Sequence, residues 1–123
     1  MEHRITIVDD EGEVRSALRR LLKVAGMKTQ TYASAEDFLD AASGRHCDCL
    51  ILDHGLPGMS GLELQSRLAA RGRRVPIIFI SARDDAYTRA QAMQAGALAF
   101  LGKPFSDEVL LQAVQAALQL AGS

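Results

Sequence analysis

The chain has 123 residues, 48% of them hydrophobic and 24% charged, with a formal net charge of −1. That suits one soluble domain with a single sizeable core. It excludes a nucleic-acid surface built on a basic patch, and no apolar run reaches the roughly 20 residues that cross a bilayer.

From the start, Met1 to Arg4 leads directly into a strand-like segment, with no secretory signal pattern. Ile5 to Val8 is a short apolar strand bounded by Asp9-Asp10. Val14, Leu18, Leu21, Leu22 and Ala25 follow at helical spacing, with Gly26 as C-cap. Lys28 to Tyr32 reads as a strand. Ser34 reads as an N-cap to a helix carrying Phe38, Leu39 and Ala42. Cys49 to Leu52 is a wholly apolar strand ending at Asp53, and a loop follows from His54 to Met59. Ser60 or Gly61 opens a helix through Leu62, Leu64, Leu68 and Ala69, closed by the positive run at Arg71, Arg73 and Arg74.

Val75 to Ile80 is the fourth strand, ending at Ser81. Asp84 or Asp85 caps a helix through Ala90 and Met93, closed by Gly96. Ala97 to Leu101 is the fifth strand, leading to Gly102-Lys103-Pro104. Ser106-Asp107-Glu108 starts a last helix through Val109, Leu110, Ala113, Val114, Ala117 and Leu118. Phe38 and Met93 are expected in the core. Cys47 and Cys49, two apart on one strand, are badly placed for a disulfide and too few for a zinc site. They are expected to pack as reduced thiols, and a reducing, cytoplasmic location follows.

Apolar strands alternating with amphipathic helices point to an α/β fold: a parallel sheet covered on both faces. Five units are too few for an eight-stranded barrel, which leaves an open doubly wound sheet of three α/β/α layers. In such a sheet every strand C-terminus lies on one edge. Asp9, Asp10, Asp53, Ser81 and Lys103 therefore meet there, although far apart in sequence. Ligands bind at the topological switch point of that edge, which in the flavodoxin-like strand order 2-1-3-4-5 lies between strands one and three.

Clustered carboxylates repel one another. A divalent cation with oxygen ligands offsets that, and Mg²⁺ takes one or two carboxylates together with phosphate oxygens. A carboxylate nucleophile, a metal, a lysine and a hydroxyl make a phosphoryl-transfer site.

These residues resemble a known signature. Ile7-Val8-Asp9-Asp10-Glu11, Asp53 with Leu56-Pro57-Gly58-Met59-Ser60-Gly61, Ser81-Ala82 and Lys103-Pro104-Phe105 together look like the response-regulator receiver domain of two-component signalling. The resemblance spans about residues 4 to 119 and makes residues 1–123 one receiver domain, with any output domain outside this chain. It implies that Asp53 accepts a phosphoryl group from a sensor histidine kinase or phosphotransfer protein. Mg²⁺, with Mn²⁺ as an alternative, would sit on Asp10, Asp53 and the Gly55 carbonyl, with Asp9 assisting through water. Ser81 and Lys103 would contact the phosphoryl group. Ser81 and Phe100 would form a switch in which Phe100 turns inward and changes the surface of helix 4, strand 5 and helix 5. The domain would catalyse only its own phosphorylation and slow dephosphorylation, so it is not an enzyme in the ordinary sense.

The segment Phe79 to Phe105 looks most like receivers joined to LuxR-type helix-turn-helix output domains, which implies control of transcription. A phosphorylation-dependent homodimer through helix 4 and strand 5 is a further implication. The domain itself is expected to bind neither nucleic acid nor membrane. His54 departs from the usual aliphatic residue after the acceptor, and strand alternation points it away from the metal, toward packing. Gly55 and Arg83 form a pair expected to tune the lifetime of the phosphorylated state.

Two alternatives rank lower. A Mg²⁺-dependent phosphatase with a strand-end aspartate needs a second acid two residues on, where this chain has Gly55. A non-phosphorylated interaction module would lack the acidic pair, acceptor or lysine, and all are present. Gly55, Gly58 and Gly61 lack the Gly-Lys-Ser/Thr ending of a P-loop.

Overall fold

A computed structural model describes residues 3–41 and 47–121. Strands β1 (Arg4–Val8), β2 (Lys28–Tyr32), β3 (Cys49–Asp53), β4 (Ile77–Ser81) and β5 (Ala99–Gly102) alternate with helices α1 (Gly12–Val24), α2 (Ala35–Ala41), α3 (Gly61–Ala70), α4 (Ala86–Gln94) and α5 (Asp107–Ala121). All strand pairs are parallel and the order is 2-1-3-4-5, the flavodoxin-like order expected.

The sheet has an apolar layer on each face, sorted by the period of two along each strand. Leu50, Leu52 and Phe79 join Phe38, Leu64, Leu68 and Ala92 on the side of α2, α3 and α4. Cys49, Ile51, Ile78 and Ile80 join Leu18, Leu22, Leu110 and Val114 under α1 and α5. Each fully buried Leu, Ile or Phe contributes roughly 1.5–3 kcal/mol, so β3 and β4, buried along their whole length, anchor the edge that carries the polar residues.

The helix ends follow the chemistry of their caps. Ser34 Oγ accepts from Asp37 N, Ser60 Oγ from Glu63 N, and Ser106 Oγ from Val109 N. Of the two candidates before α4, Asp85 is the cap, accepting from Thr88 N at 2.8 Å. Asp84 turns instead to Arg89. Gly26 and Gly96 both take the positive φ that lets a helix end sharply.

Three expectations need correction. Met93 is 42% exposed, because α4 turns Thr88 and Ala92 inward. Strand β4 begins at Ile77, since Pro76 has no N–H to give a ladder and only its carbonyl is used, by Leu50 N. Strand β5 begins at Ala99, because Ala97 N still bonds to Ala92 O at the exit of α4. Ala42 lies outside the described residues. Cys47 and Cys49 are buried and unbonded, and burial pushes the Cys49 thiol up to about 12, leaving it inert at neutral pH.

Candidate functional site

Register builds the site. Val8 pairs with Leu52, so Asp9 leaves β1 alongside Asp53 at the end of β3. Ser81 pairs with Gly102, and the next residue, Lys103, is fixed by its N–H donating to the Ser81 carbonyl at 2.7 Å. Asp9, Asp10 and Asp53 then offer carboxylate oxygens all within 4.8 Å of one another. Asp9 and Asp53 are buried and Asp10 is exposed.

The ammonium of Lys103 lies among them, donating to Asp9 Oδ2 at 3.0 Å and to Glu11 Oε1 at 3.3 Å, and standing 3.5 Å from Asp53 Oδ1. Burial alone would lower its pKa, but the hydrogen bond to Asp9 and the charge of Asp53 outweigh this and raise it. Arg15 Nη1 donates to the Asp9 carbonyl at 2.7 Å. Burial pushes Asp53 up to about 6, and the charge of Asp9 adds to that, against the lowering effects of Lys103 and the Gly55 N–H. Two like charges ~4 Å apart cost about 4 kcal/mol at an effective dielectric near 20. Among the described residues, Lys103 pairs with Asp9, Glu11 and Asp53 and Arg15 holds the Asp9 carbonyl, so four carboxylates, those of Asp9, Asp10, Glu11 and Asp53, stand against two cations and the pocket keeps a negative excess. Its all-oxygen donor set fits a hard divalent cation.

The other expected residues stand around this centre. Gly55 is exposed, and a side chain added there would meet nothing within 4 Å, so the space above the acceptor is open on that side. Ser81 is buried at the end of β4, its hydroxyl donating to the Arg83 carbonyl at 3.0 Å and accepting from Arg83 N at 2.9 Å rather than reaching Asp53. Arg83 is exposed and close enough to His54 to depress its pKa. The His54 ring packs edge-on against Phe79 at 6.0 Å and Phe100 at 6.2 Å, with Nε2 buried and without a hydrogen-bond partner.

Phe100 is only 3% exposed. Its ring packs in the core against Phe79 and His54. The Lys103–Pro104 peptide is cis.

Three residues with contacts in or around the site, Arg15, Glu36 and Arg89, were not named from sequence, and Glu11 was named in the signature without a role. Arg15 falls in the first turns of α1 after the acidic pair, and that proximity was the available signal. Glu36 accepts from Met59 N across 23 residues and packs against Gly58, tying α2 to the β3–α3 loop. Arg89 reaches Phe100 from α4. Neither Glu36 nor Arg89 has a local sequence cue, because both contacts depend on how helices lie on the sheet.

A family model for the response regulator receiver domain matches residues 5–115. The response regulator protein TmoT of Ectopseudomonas mendocina is 44% identical over 120 residues, covering 98% of this chain and 54% of that protein. The transcriptional regulatory protein TdiR of Thauera aromatica is 46% identical over 116 residues, covering 94% of this chain and 51% of that protein. The chain therefore spans about half the length of the curated relatives it matches. The crystal structure of a response regulator receiver protein from Burkholderia phymatum superposes with a TM-score of 0.86 at 45% identity, covering 96% of both chains. No helix among the described residues is long and apolar enough to cross a membrane. The acidic trio beside a strand-end lysine, the 2-1-3-4-5 sheet and these matches agree, and the chain belongs to the response regulator receiver domain family of two-component systems.

Proposed function

We propose that Asp53 is the phosphoacceptor of this receiver, loaded by a sensor histidine kinase or phosphotransfer protein. The observation that carries this reading is the meeting of Asp9, Asp10 and Asp53 within 4.8 Å, with Lys103 3.5 Å from the acceptor. A Asp53 carboxylate oxygen forms a bond to phosphorus while the donor's bond to phosphorus breaks and its electron pair leaves with the donor. With a pKa of about 6, Asp53 is mostly ionised at neutral pH and able to attack.

Asp10, Asp53 and the Gly55 carbonyl would hold Mg²⁺, or Mn²⁺, with Asp9 assisting through water. The ion would neutralise charge on the phosphoryl oxygens. Lys103, now shared between Asp9 and Glu11, is within reach of the new anion. Phosphorylation adds roughly −1.5 to −2 charge, which draws the Ser81 hydroxyl away from the Arg83 backbone and loosens the start of the β4–α4 loop. The face of α4, β5 and α5 then changes its partner preference. That face would pair two copies through α4 and β5, which sedimentation with and without a phosphoryl mimic tests. It would also pass the signal to an output domain that controls transcription, acting in the cytoplasm.

The open space at Gly55 and the charge of Arg83 would set how long the phosphoryl group survives. An unchanged self-dephosphorylation rate in Arg83→Ala makes Arg83 a bystander. The acceptor reading is tested by incubation with acetyl phosphate and Mg²⁺ followed by intact mass. A labile gain of one phosphoryl group, absent in Asp53→Asn and after chelation, is expected. Equal gain in the variant overturns it.

A further inference from the structure

We infer that Arg89, braced by Asp84, is a positioning residue that holds Phe100 inside the fold and so presets the α4–β5 face before any phosphoryl group arrives. This rests on the reading of Phe100 as the aromatic that responds to Asp53.

One guanidinium makes three contacts. Arg89 Nη1 donates to the backbone carbonyl of Phe100 at 2.9 Å. Its plane lies over the Phe100 ring, 5.1 Å from the centroid. Arg89 Nη2 donates to Asp84 Oδ1 at 2.7 Å. The planar fork of arginine suits this combination, and a lysine ammonium could not span it.

Asp84 is itself fixed against β5. A methyl group built on Gly102 would stand 2.5–2.9 Å from its Oδ2, Cβ and Cγ atoms, so Gly102 leaves the room that Asp84 occupies. The brace therefore links the β4–α4 loop and the first turns of α4 to β5 at Phe100 and Gly102.

The bland alternative is a surface ion pair of little consequence. Both partners are nearly half exposed, at 46% and 44%, and such pairs contribute little by themselves. The contacts to Phe100 separate the two readings. On its inner side the Phe100 ring meets Phe79 and the His54 ring, whose Nε2 has no hydrogen-bond partner. That is a mixed rather than purely apolar seat for an aromatic. From α4 the guanidinium adds a contact over the same ring and a hydrogen bond to the Phe100 carbonyl. A cation–π contact and a charge-assisted hydrogen bond together support a population shift on the order of tenfold.

The test is fluorine NMR on protein carrying 4-fluorophenylalanine at Phe38, Phe79, Phe100 and Phe105, with the Phe100 line assigned by Phe100→Leu. In the wild type without phosphoryl donor, the Phe100 line is single and protected from a soluble gadolinium chelate. In Arg89→Ala it broadens or splits and gains chelate relaxation, and the Phe79 line, whose ring packs against Phe100, shifts without gaining chelate relaxation. Arg89→Lys restores part of the protection. Asp84→Asn, which keeps its volume against Gly102, moves the line in the same direction by less. A Phe100 line unchanged in both Arg89→Ala and Asp84→Asn overturns the inference. Acetyl phosphate loading of the same wild-type sample scores the acceptor reading separately: absence of loading sinks that reading, whereas the latch is judged on the fluorine line alone.

Discussion

Lys103 stands closer to Asp9 than to Asp53: its ammonium is 3.0 Å from Asp9 Oδ2 and 3.5 Å from Asp53 Oδ1. The lysine thus neutralises the fully buried member of the acidic trio before it serves the acceptor. Its side chain is 16% exposed and that of Asp9 is 0%. Removing one partner of a buried pair strands the other charge. Lys103→Ala is therefore expected to lower stability by about 2–4 kcal/mol in chelator. Millimolar Mg²⁺ should recover part of that loss. Urea unfolding with and without the metal measures both, and a variant as stable as the wild type in chelator contradicts this role.

Asp53 contributes pH dependence of a definite sign. Burial, then Asp9, raise its folded pKa from 3.8 to about 6. The folded state therefore holds the proton more tightly than the unfolded chain, and stability from this group falls as pH rises from about 4 through 6. At pH 7 the ionised carboxylate costs on the order of 2–3 kcal/mol. Asp53→Asn should raise the melting temperature at pH 7 in chelator and leave it nearly unchanged at pH 4. Mg²⁺ should stabilise the wild type more than the variant. Calorimetry across that pH range checks the sign, which reverses if Asp53 is held below its ordinary pKa.

Much of this was legible because chemistry and chain position coincide. Apolar runs such as Leu50 to Leu52 and Ile77 to Ile80 can only be buried strands in a chain this short, and a parallel sheet puts their C-terminal ends on one edge. Asp9, Asp53, Ser81 and Lys103 could therefore be placed without coordinates. Tertiary contacts decided the remainder. Met93 has a core residue's chemistry, yet α4 buries Thr88 and Ala92 instead. Whether Asp84 or Asp85 capped α4 depended on Arg89 claiming one of them. The burial of Phe100 depends on packing among α4, β4 and the residue after the acceptor, which no sequence period encodes.

His54 is a polar ring in an apolar seat. Burial, and then Arg83, lower its pKa, while Asp85 opposes them. The unfolded chain thus binds the imidazole proton more readily, so this group's contribution to stability is lost as pH falls below its ordinary value of 6.5. His54→Leu removes a buried nitrogen without a partner and should stabilise the fold by about 1 kcal/mol at pH 7, more at pH 5. Denaturation at the two pH values tests it, and a greater gain at pH 7 than at pH 5 contradicts the assignment.

Gly61 opens α3 directly beneath the acceptor. A methyl group there would stand 2.8 Å from Phe79 Cε1 and 2.9 Å from the Asp53 carbonyl oxygen. Neither neighbour is free to move, since Phe79 is fully buried and Asp53 ends a core strand. Gly61→Ala is expected to cost about 1–3 kcal/mol and to slow phosphorylation by displacing Asp53. Thermal unfolding and the rate of loading from acetyl phosphate report the two effects, and a variant matching the wild type in both argues against the close fit.

The central claim is that the phosphoryl group resides on Asp53. Borohydride reduction of protein freshly loaded with acetyl phosphate and Mg²⁺ converts an acyl phosphate to an alcohol, and peptide mapping finds the residue changed. The account predicts homoserine at position 53. Homoserine at Asp9 or Asp10 instead, or a phosphorylated protein in which position 53 is still aspartate, contradicts it.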